Sequence, residues 1–246
     1  MTNSITFSPP GLVLAADKAA FGAAANAATI QLHHNGAAKI TAERDALQAA
    51  IVSLEQGRDT TRLRRTTLQN AVKAAMAFLT LARDVLKPQL GKRHTSAWSI
   101  TGFASSLAIP RNAERLMQVL ELFAQFLGDN PEMEQEALSV TAAAAEAHLT
   151  AILTAYNAVL AQKSTVKSLG TARTTAVNLL RKTLINLKGE LTTLIGNDDP
   201  RWLEFGFNIP NMVERPEAPT GVLAVLIGPT AVSVKWTAAP RAQYYR

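Results

Sequence analysis

The feature that most constrains the fold is a pattern of three residues that occurs twice. Each copy has a tryptophan, then a glycine, then a phenylalanine: Trp98, Gly102 and Phe103 in the first copy, and Trp202, Gly206 and Phe207 in the second. Because the chain holds only 3 tryptophans, the shared spacing is poorly explained by composition. It predicts an internal duplication.

Other residues match at about the same distance. Arg65-Thr66-Thr67 corresponds to Arg173-Thr174-Thr175, and Ile109-Pro110 corresponds to Ile209-Pro210. A period of roughly 100 residues is too long for a solenoid unit. We therefore predict two copies of a three-helix unit, residues 1–110 and 111–212, around a pseudo-two-fold axis. The alternative is two unrelated helix pairs that share a composition.

The rest of these two regions has helical periodicity. Apolar side chains recur at helical spacing in several runs, which predicts a mainly α protein with a bundle of about six helices. Residues 41–90 are ambiguous because the stretch from Glu55 to Arg62 carries no large apolar side chain. It is either a turn centred on Gly57 or part of one long helix. Two helices are the favoured interpretation.

The repeated aromatic segments, residues 98–110 and 199–210, have a direct physical interpretation. A tryptophan just after a helix can fold back over the end of a bundle, and glycine permits a positive φ. We call them the first and second closing segments. They are predicted to be hydrophobic lids, and a ligand pocket lined by the aromatics is the alternative.

Residues 213–246 have a different character. A proline-rich linker leads to an apolar run, a Gly228-Pro229 turn and an alternating stretch, Ala231–Trp236. Val232, Val234 and Trp236 share one parity, which predicts a strand with one buried face.

This C-terminal region resembles the start of a fibronectin type III domain. The resemblance rests on Pro216 to Pro219, the apolar first strand, Gly228 to Trp236, and the following proline and tyrosines. It implies that Trp236 packs in a sandwich core. Such a sandwich needs about seven strands, and only two or three are present here. Either the natural protein is longer or another chain completes the strands by β-augmentation.

The helical part is similar to a group of bacterial helical-bundle proteins of uncharacterised activity. They carry Asp-Pro-Arg-Trp-x-x-Phe-Gly, present here from Asp199 to Gly206. The resemblance implies no activity.

No catalytic constellation is evident. The 246-residue chain has no cysteine, which excludes disulfides and thiolate sites, and it has no phosphate loop, nucleophile elbow or His-Glu-x-x-His motif. His33-His34 is the best metal candidate, but isolated surface histidines are the preferred interpretation. We predict no enzyme activity, cofactor or metal.

A basic cluster lies at Arg58, Arg62, Arg64 and Arg65, with further cations at residues 87–94. Together the two groups could bind phosphate-rich partners. No aromatic side chain interleaves to stack bases, and the net charge is a mild +6. A solvated helix face is therefore favoured over a nucleic-acid site. No secretory signal or membrane-spanning run is evident, and the compartment stays open.

These observations favour a non-enzymatic structural or self-assembling protein. The helical bundle would be a scaffold, and the β segment would join it to a second copy, to another protein or to further sequence. The alternative is a module that binds a surface or ligand, with the fibronectin-like part as a spacer.

Overall fold

The computed structural model describes residues 5–6, 8–210 and 218–237. This part of the chain is mainly helical and ends in a small sheet, as predicted. Its α-helices are α1 (Pro9–Ala25), α2 (Ala37–Leu90), α3 (Ser96–Ser99), α4 (Ala113–Asp129) and α5 (Ala142–Leu194). Short 3₁₀ turns lie at Pro131–Met133, Glu136–Leu138 and Pro200–Leu203. The sheet contains β1 (Thr220–Gly228) and β2 (Ala231–Thr237).

The described residues therefore form five α-helices, and the expectation of about six was wrong. Each of the two long helices replaces two expected ones, and the four-residue helix α3 is additional. Residues 41–90 were expected to form two helices, but they lie within the single 54-residue helix α2. Helix α5 likewise runs for 53 residues without a break, through the polar residues 162–165.

Gly57 explains how α2 continues through a stretch with no large apolar residue. It is buried, and a Cβ there would lie 2.8 Å from Leu169 Cδ1 of α5. Its carbonyl accepts hydrogen bonds from the buried side chains of Thr61 (2.9 Å) and Gln162 (3.1 Å). Small and hydrogen-bonded polar residues thus fill this contact, where close helix approach replaces bulky side chains.

The chain divides into two compact units. Unit 1 contains residues 1–45 and 177–246, and unit 2 contains residues 46–176. Both long helices contribute to both units. The duplication, with its boundaries after residues 110 and 212, was inferred from matching residues in the sequence. It stays a prediction.

Unit 2 is built around one apolar cluster. It joins α2 from Ala75 onward, the first closing segment, α4 and the start of α5. Phe78 and Phe123 meet edge to face at 6.1 Å in this cluster, a favoured aromatic geometry. Asn112 caps α4, because its side chain accepts hydrogen bonds from the backbone N–H groups of Glu114 (2.9 Å) and Arg115 (3.2 Å).

Unit 1 buries α1 against the second closing segment. Helix α1 begins with two prolines, which are tolerated in a first helical turn. A Cβ on Gly22 would lie 2.7 Å from the carbonyl oxygen of Glu204. Asn26 Nδ2 donates to Glu204 Oε2 at 2.6 Å. Glycine at position 22 therefore permits a backbone approach that no other residue would allow.

Strands β1 and β2 form an antiparallel hairpin. Leu226 pairs with Val232, Ala224 with Val234 and Leu223 with Lys235. The register shifts at both ends of this run, between Thr220 and Leu223 and between Leu226 and Gly228. The predicted short C-terminal β segment is thus present, as two strands within the described residues.

Candidate functional site

The first closing segment is held by its tryptophan. Trp98 is fully buried, and its indole N–H donates to the carbonyl of Gly91 at 3.0 Å. The Phe103 ring stands at 86° to it, with ring centroids 5.8 Å apart. Gly102 has φ +91°, and a Cβ there would lie 3.0 Å from the Val119 carbonyl oxygen of α4. The left-handed conformation and the close approach both favour glycine.

The second closing segment has matching contacts. Trp202 is also fully buried, and its indole N–H donates to Gly196 at 3.0 Å. The Phe207 ring lies 6.2 Å away at 67°. Gly206 has φ +78°, and a Cβ there would meet Lys18 Cβ at 2.8 Å. The spacing of tryptophan, glycine and phenylalanine thus has the same structural use in both places.

Asp199 and Arg201 add a cap to the second segment. Asp199 Oδ1 accepts from the Arg201 backbone N–H at 2.8 Å, and its Oδ2 accepts from the Arg201 guanidinium at 2.6 Å. The hydrogen bond from the guanidinium, followed by that from the backbone, lowers the pKa of Asp199. Asp-Pro-Arg-Trp is therefore a capped turn: Asp199 is the N-cap, Pro200 opens the turn, and Trp202 is buried.

Trp98 and Trp202 have no indole N–H left for a ligand, since both hydrogen-bond to glycine carbonyls. A cavity of about 340 Å³ nevertheless lies beside the first closing segment. Phe103, Ile109 and Val119 supply apolar walls, while Arg115 and Gln118 supply polar ones. Its size is at the lower end of ordinary ligand sites.

The structure separates the predicted basic residues. Arg58, Arg62 and Arg65 line one cavity, together with Lys163 of α5. Arg64 instead donates from Nη1 to the Ala158 carbonyl at 2.9 Å. The cations near residue 87 are not part of the group, because Lys87 lies about 33 Å from Arg65 along α2 at ~1.5 Å per residue. Lys163 was missed because it comes from a distant part of the sequence.

His33 and His34 contact a carboxylate through their backbone. Both backbone N–H groups donate to Glu190, and the Asn35 side chain donates to it at 2.9 Å. Desolvation opposes ionisation, but the hydrogen bonds from Asn35, His33 and His34 outweigh it and lower the pKa of Glu190. No group of three or more potential metal ligands occurs among the described residues.

The hairpin has two unlike faces. Since side chains alternate along a strand and paired residues share a face, Ala224, Leu226, Val232 and Val234 lie on one side. Leu223 and Val225 lie on the other side with Lys235 and Ser233. The first side, which we call the apolar face, has no charged residue at these four positions.

The apolar face is exposed. The accessible fractions are 71 % for Leu226, 56 % for Val232 and 46 % for Val234, and Trp236 on the same strand is 42 % exposed. The sequence predicted that this side of the strand is buried, but none of the described residues covers it. Ala224 and Leu226 of β1 lie on the same face. The sequence alone did not identify them, because the pairing depends on the register across the Gly228-Pro229 turn.

No protein-family model matches the chain, and neither a curated protein nor a solved structure matches it. Among the described residues, no helix is both long and apolar enough to span a bilayer. The candidate sites are therefore judged by their geometry alone. They are the exposed hairpin, the cavity beside Phe103 and the basic cavity between α2 and α5.

Proposed function

We propose that the chain is a non-enzymatic structural protein that assembles through its C-terminal hairpin. The duplicated helical bundle, with its pseudo-two-fold arrangement, is the scaffold in this proposal. The hairpin is the first part of a fibronectin type III-like sandwich, completed by strands from another chain or by further sequence. Its exposed apolar face is the observation that carries the proposal.

The physical case starts from the instability of an isolated hairpin. Two strands alone are marginally stable in water, and a sheet needs more strands or a covering layer. Leu226, Val232 and Val234 place large apolar surface in contact with water on one side. Contiguous apolar surface of this kind is typical of interaction sites. Addition of strands or of a second sheet would bury it.

The register fits the proposed sandwich. Its first two strands, A and B, belong to the same sheet in the immunoglobulin-like architecture. Here β1 and β2 pair antiparallel across a tight turn, with Val232 and Val234 on the apolar side. This arrangement supports the fibronectin-like interpretation, in which the apolar side is the inner face of a sandwich.

Light scattering coupled to size exclusion tests assembly. We expect the 246-residue chain to form concentration-dependent oligomers, and deletion of residues 216–246 to abolish them. Val232→Lys with Val234→Lys should also give a monomer, because each charge would be buried in the contact. Val232→Lys alone should already weaken assembly, and Ser233→Lys, which adds the same single charge on the opposite face, is its matched control and should still assemble. A wild-type chain that stays monomeric at high concentration would contradict assembly.

A binding module is the second candidate, and the cavity beside Phe103 favours it. Apolar walls with a guanidinium and an amide at one side are suited to a sugar or a small polar ligand. Nuclear magnetic resonance titration with a panel of oligosaccharides checks it. Shifts centred on Arg115 and Gln118 in a monomeric chain would support this function over assembly, whereas unchanged spectra would reject sugar binding.

A further inference from the structure

A second feature of unit 2 is a cavity of about 320 Å³ between α2 and α5, which we call the basic pocket. Its lining consists of Arg58, Thr61, Arg62, Arg65, Lys163 and Val166. The three arginines follow the i, i+4, i+7 spacing that places side chains on one face of a helix. Lys163 completes the group from α5. Four cations therefore converge on one concave surface.

The wall beneath these cations is well packed. Thr61 is 9 % exposed and Gln162 is 7 % exposed, and both hydrogen-bond to the carbonyl of Gly57. Val166 Cγ2 lies 3.4 Å from the position of a Cβ on Gly57. Because α2 and α5 are in close contact here, the two sources of positive charge are held near each other.

The charges in the basic pocket are largely uncompensated. None of its lining residues is acidic. Arg62 contacts Asp59 at 3.0 Å, with both side chains largely exposed. Among the described residues, no carboxylate lies within ion-pair distance of Arg58, Arg65 or Lys163. Like charges gathered in a cleft repel one another and attract a multivalent anion.

We propose that the basic pocket binds an oligophosphate group. Arginine guanidinium groups suit phosphate oxygens because they can donate two parallel hydrogen bonds. The cavity has room for several linked phosphates. No aromatic side chain lines it, so it lacks a platform on which a nucleobase would stack. The phosphate chain, and not a base, is the recognised part of the ligand.

Isothermal titration calorimetry with inorganic tripolyphosphate tests the site. We expect binding at low salt that weakens as salt rises, since dissolved ions screen the attraction between the cationic side chains and the phosphates. Adenosine triphosphate should bind with affinity within about threefold of tripolyphosphate, because the base adds no stacking. Orthophosphate should bind about tenfold more weakly or worse, since it offers fewer charge-assisted hydrogen bonds.

Matched variants distinguish binding in the basic pocket from nonspecific attraction of the anion to a positively charged protein. Arg58→Gln with Arg65→Gln should raise the Kd for tripolyphosphate about tenfold or more, since it removes charge-assisted hydrogen bonds. Lys92→Gln with Arg93→Gln removes the same charge from two exposed residues beyond the end of α2. This variant should change the Kd about threefold or less, because α2 puts its end about 37 Å from Arg65 at ~1.5 Å per residue. Circular dichroism verifies that both variants are folded.

Three outcomes would overturn the proposal. The first is no measurable tripolyphosphate binding at low salt. The second is an equal loss of affinity in the two double variants, which would leave a solvated basic helix face. The third is binding to vesicles that contain an anionic phospholipid without binding to tripolyphosphate, which would identify a membrane surface. None of these results depends on the oligomeric state of the chain, so failure here is distinct from failure of assembly.

Discussion

The two closing segments hold their tryptophans in the same way but begin differently. In each one, an indole N–H donates to a glycine carbonyl at 3.0 Å, and a phenylalanine packs at a steep angle to the indole. The second begins with Asp199, whose carboxylate accepts hydrogen bonds from Arg201. The first begins at Trp98, and Thr95, the N-cap of the short helix α3 just before it, makes no such side-chain bond.

This comparison separates what such a segment needs from what it can do without. Burial of the indole and a positive φ at the glycine are common to both. The charged cap is present in one only. The shared features should therefore contribute most of the stability of each segment, and the cap should contribute less.

The largest expected effect is loss of a tryptophan. Trp98→Ala and Trp202→Ala should each reduce the free energy of unfolding by about 3–5 kcal/mol, because each removes a fully buried side chain. Urea unfolding followed by circular dichroism measures it. Trp236→Ala, at a side chain that is 42 % exposed, is the control and should change stability by about 1 kcal/mol or less. A small loss of stability at either buried position would contradict the claim that the buried indole stabilises both closing segments alike.

The glycines should give a smaller effect in the same direction. Gly102→Ala and Gly206→Ala should each cost about 1–3 kcal/mol, from strain at positive φ and from contact with Val119 or Lys18. Gly170→Ala and Gly189→Ala are the controls in α5, where a Cβ would meet nothing within 4 Å. These should stabilise the protein by about 0.5–1 kcal/mol. Thermal unfolding checks whether Gly→Ala lowers Tm in the closing segments and raises it in α5.

The cap should give the smallest effect and should sharpen the difference between the segments. Asp199→Asn is expected to lower Tm by a few degrees at neutral pH because it loses the ion pair with Arg201. Thr95→Ala should leave Tm nearly unchanged, since its side chain makes no capping bond. Equal shifts in the two variants would show that the cap does not distinguish the segments.

The cap also predicts a pH dependence. The folded protein lowers the pKa of Asp199 below its ordinary value of 3.8. The stability that Asp199 adds to the fold is therefore fully present above the pKa of Asp199 in the unfolded chain. It is lost as the pH falls through the lower pKa of Asp199 in the folded protein. The Tm difference between wild type and Asp199→Asn should shrink as the pH falls below about 4. A difference that is constant down to pH 2 would contradict this role.

Much of the helical architecture could be predicted from local patterns. Asparagine is a preferred N-cap residue, Asn112 directly precedes the apolar periodic run that begins at Ala113, and the structure shows that cap. The continuity of α2 could not be predicted in the same way. Gly57 is a turn signal in isolation, but its small size is used to contact Val166 and Leu169, which are distant in sequence.

The candidate sites show the same limit. Three of the four predicted arginines reach the basic pocket, while Arg64 hydrogen-bonds to the backbone of Ala158. Adjacent residues on a helix point in different directions, so a run of arginines does not define one surface. Lys163 could be added only once the packing of α5 against α2 was known.

The three tryptophans provide natural optical probes. Trp98 lies in unit 2 and Trp202 in unit 1, both at 0 % exposure, whereas Trp236 on β2 is partly accessible to solvent. Single-tryptophan versions, with phenylalanine at the other two positions, would report separately on each unit and on the hairpin through fluorescence emission. The order in which the parts lose structure could then be followed in real time without an attached dye.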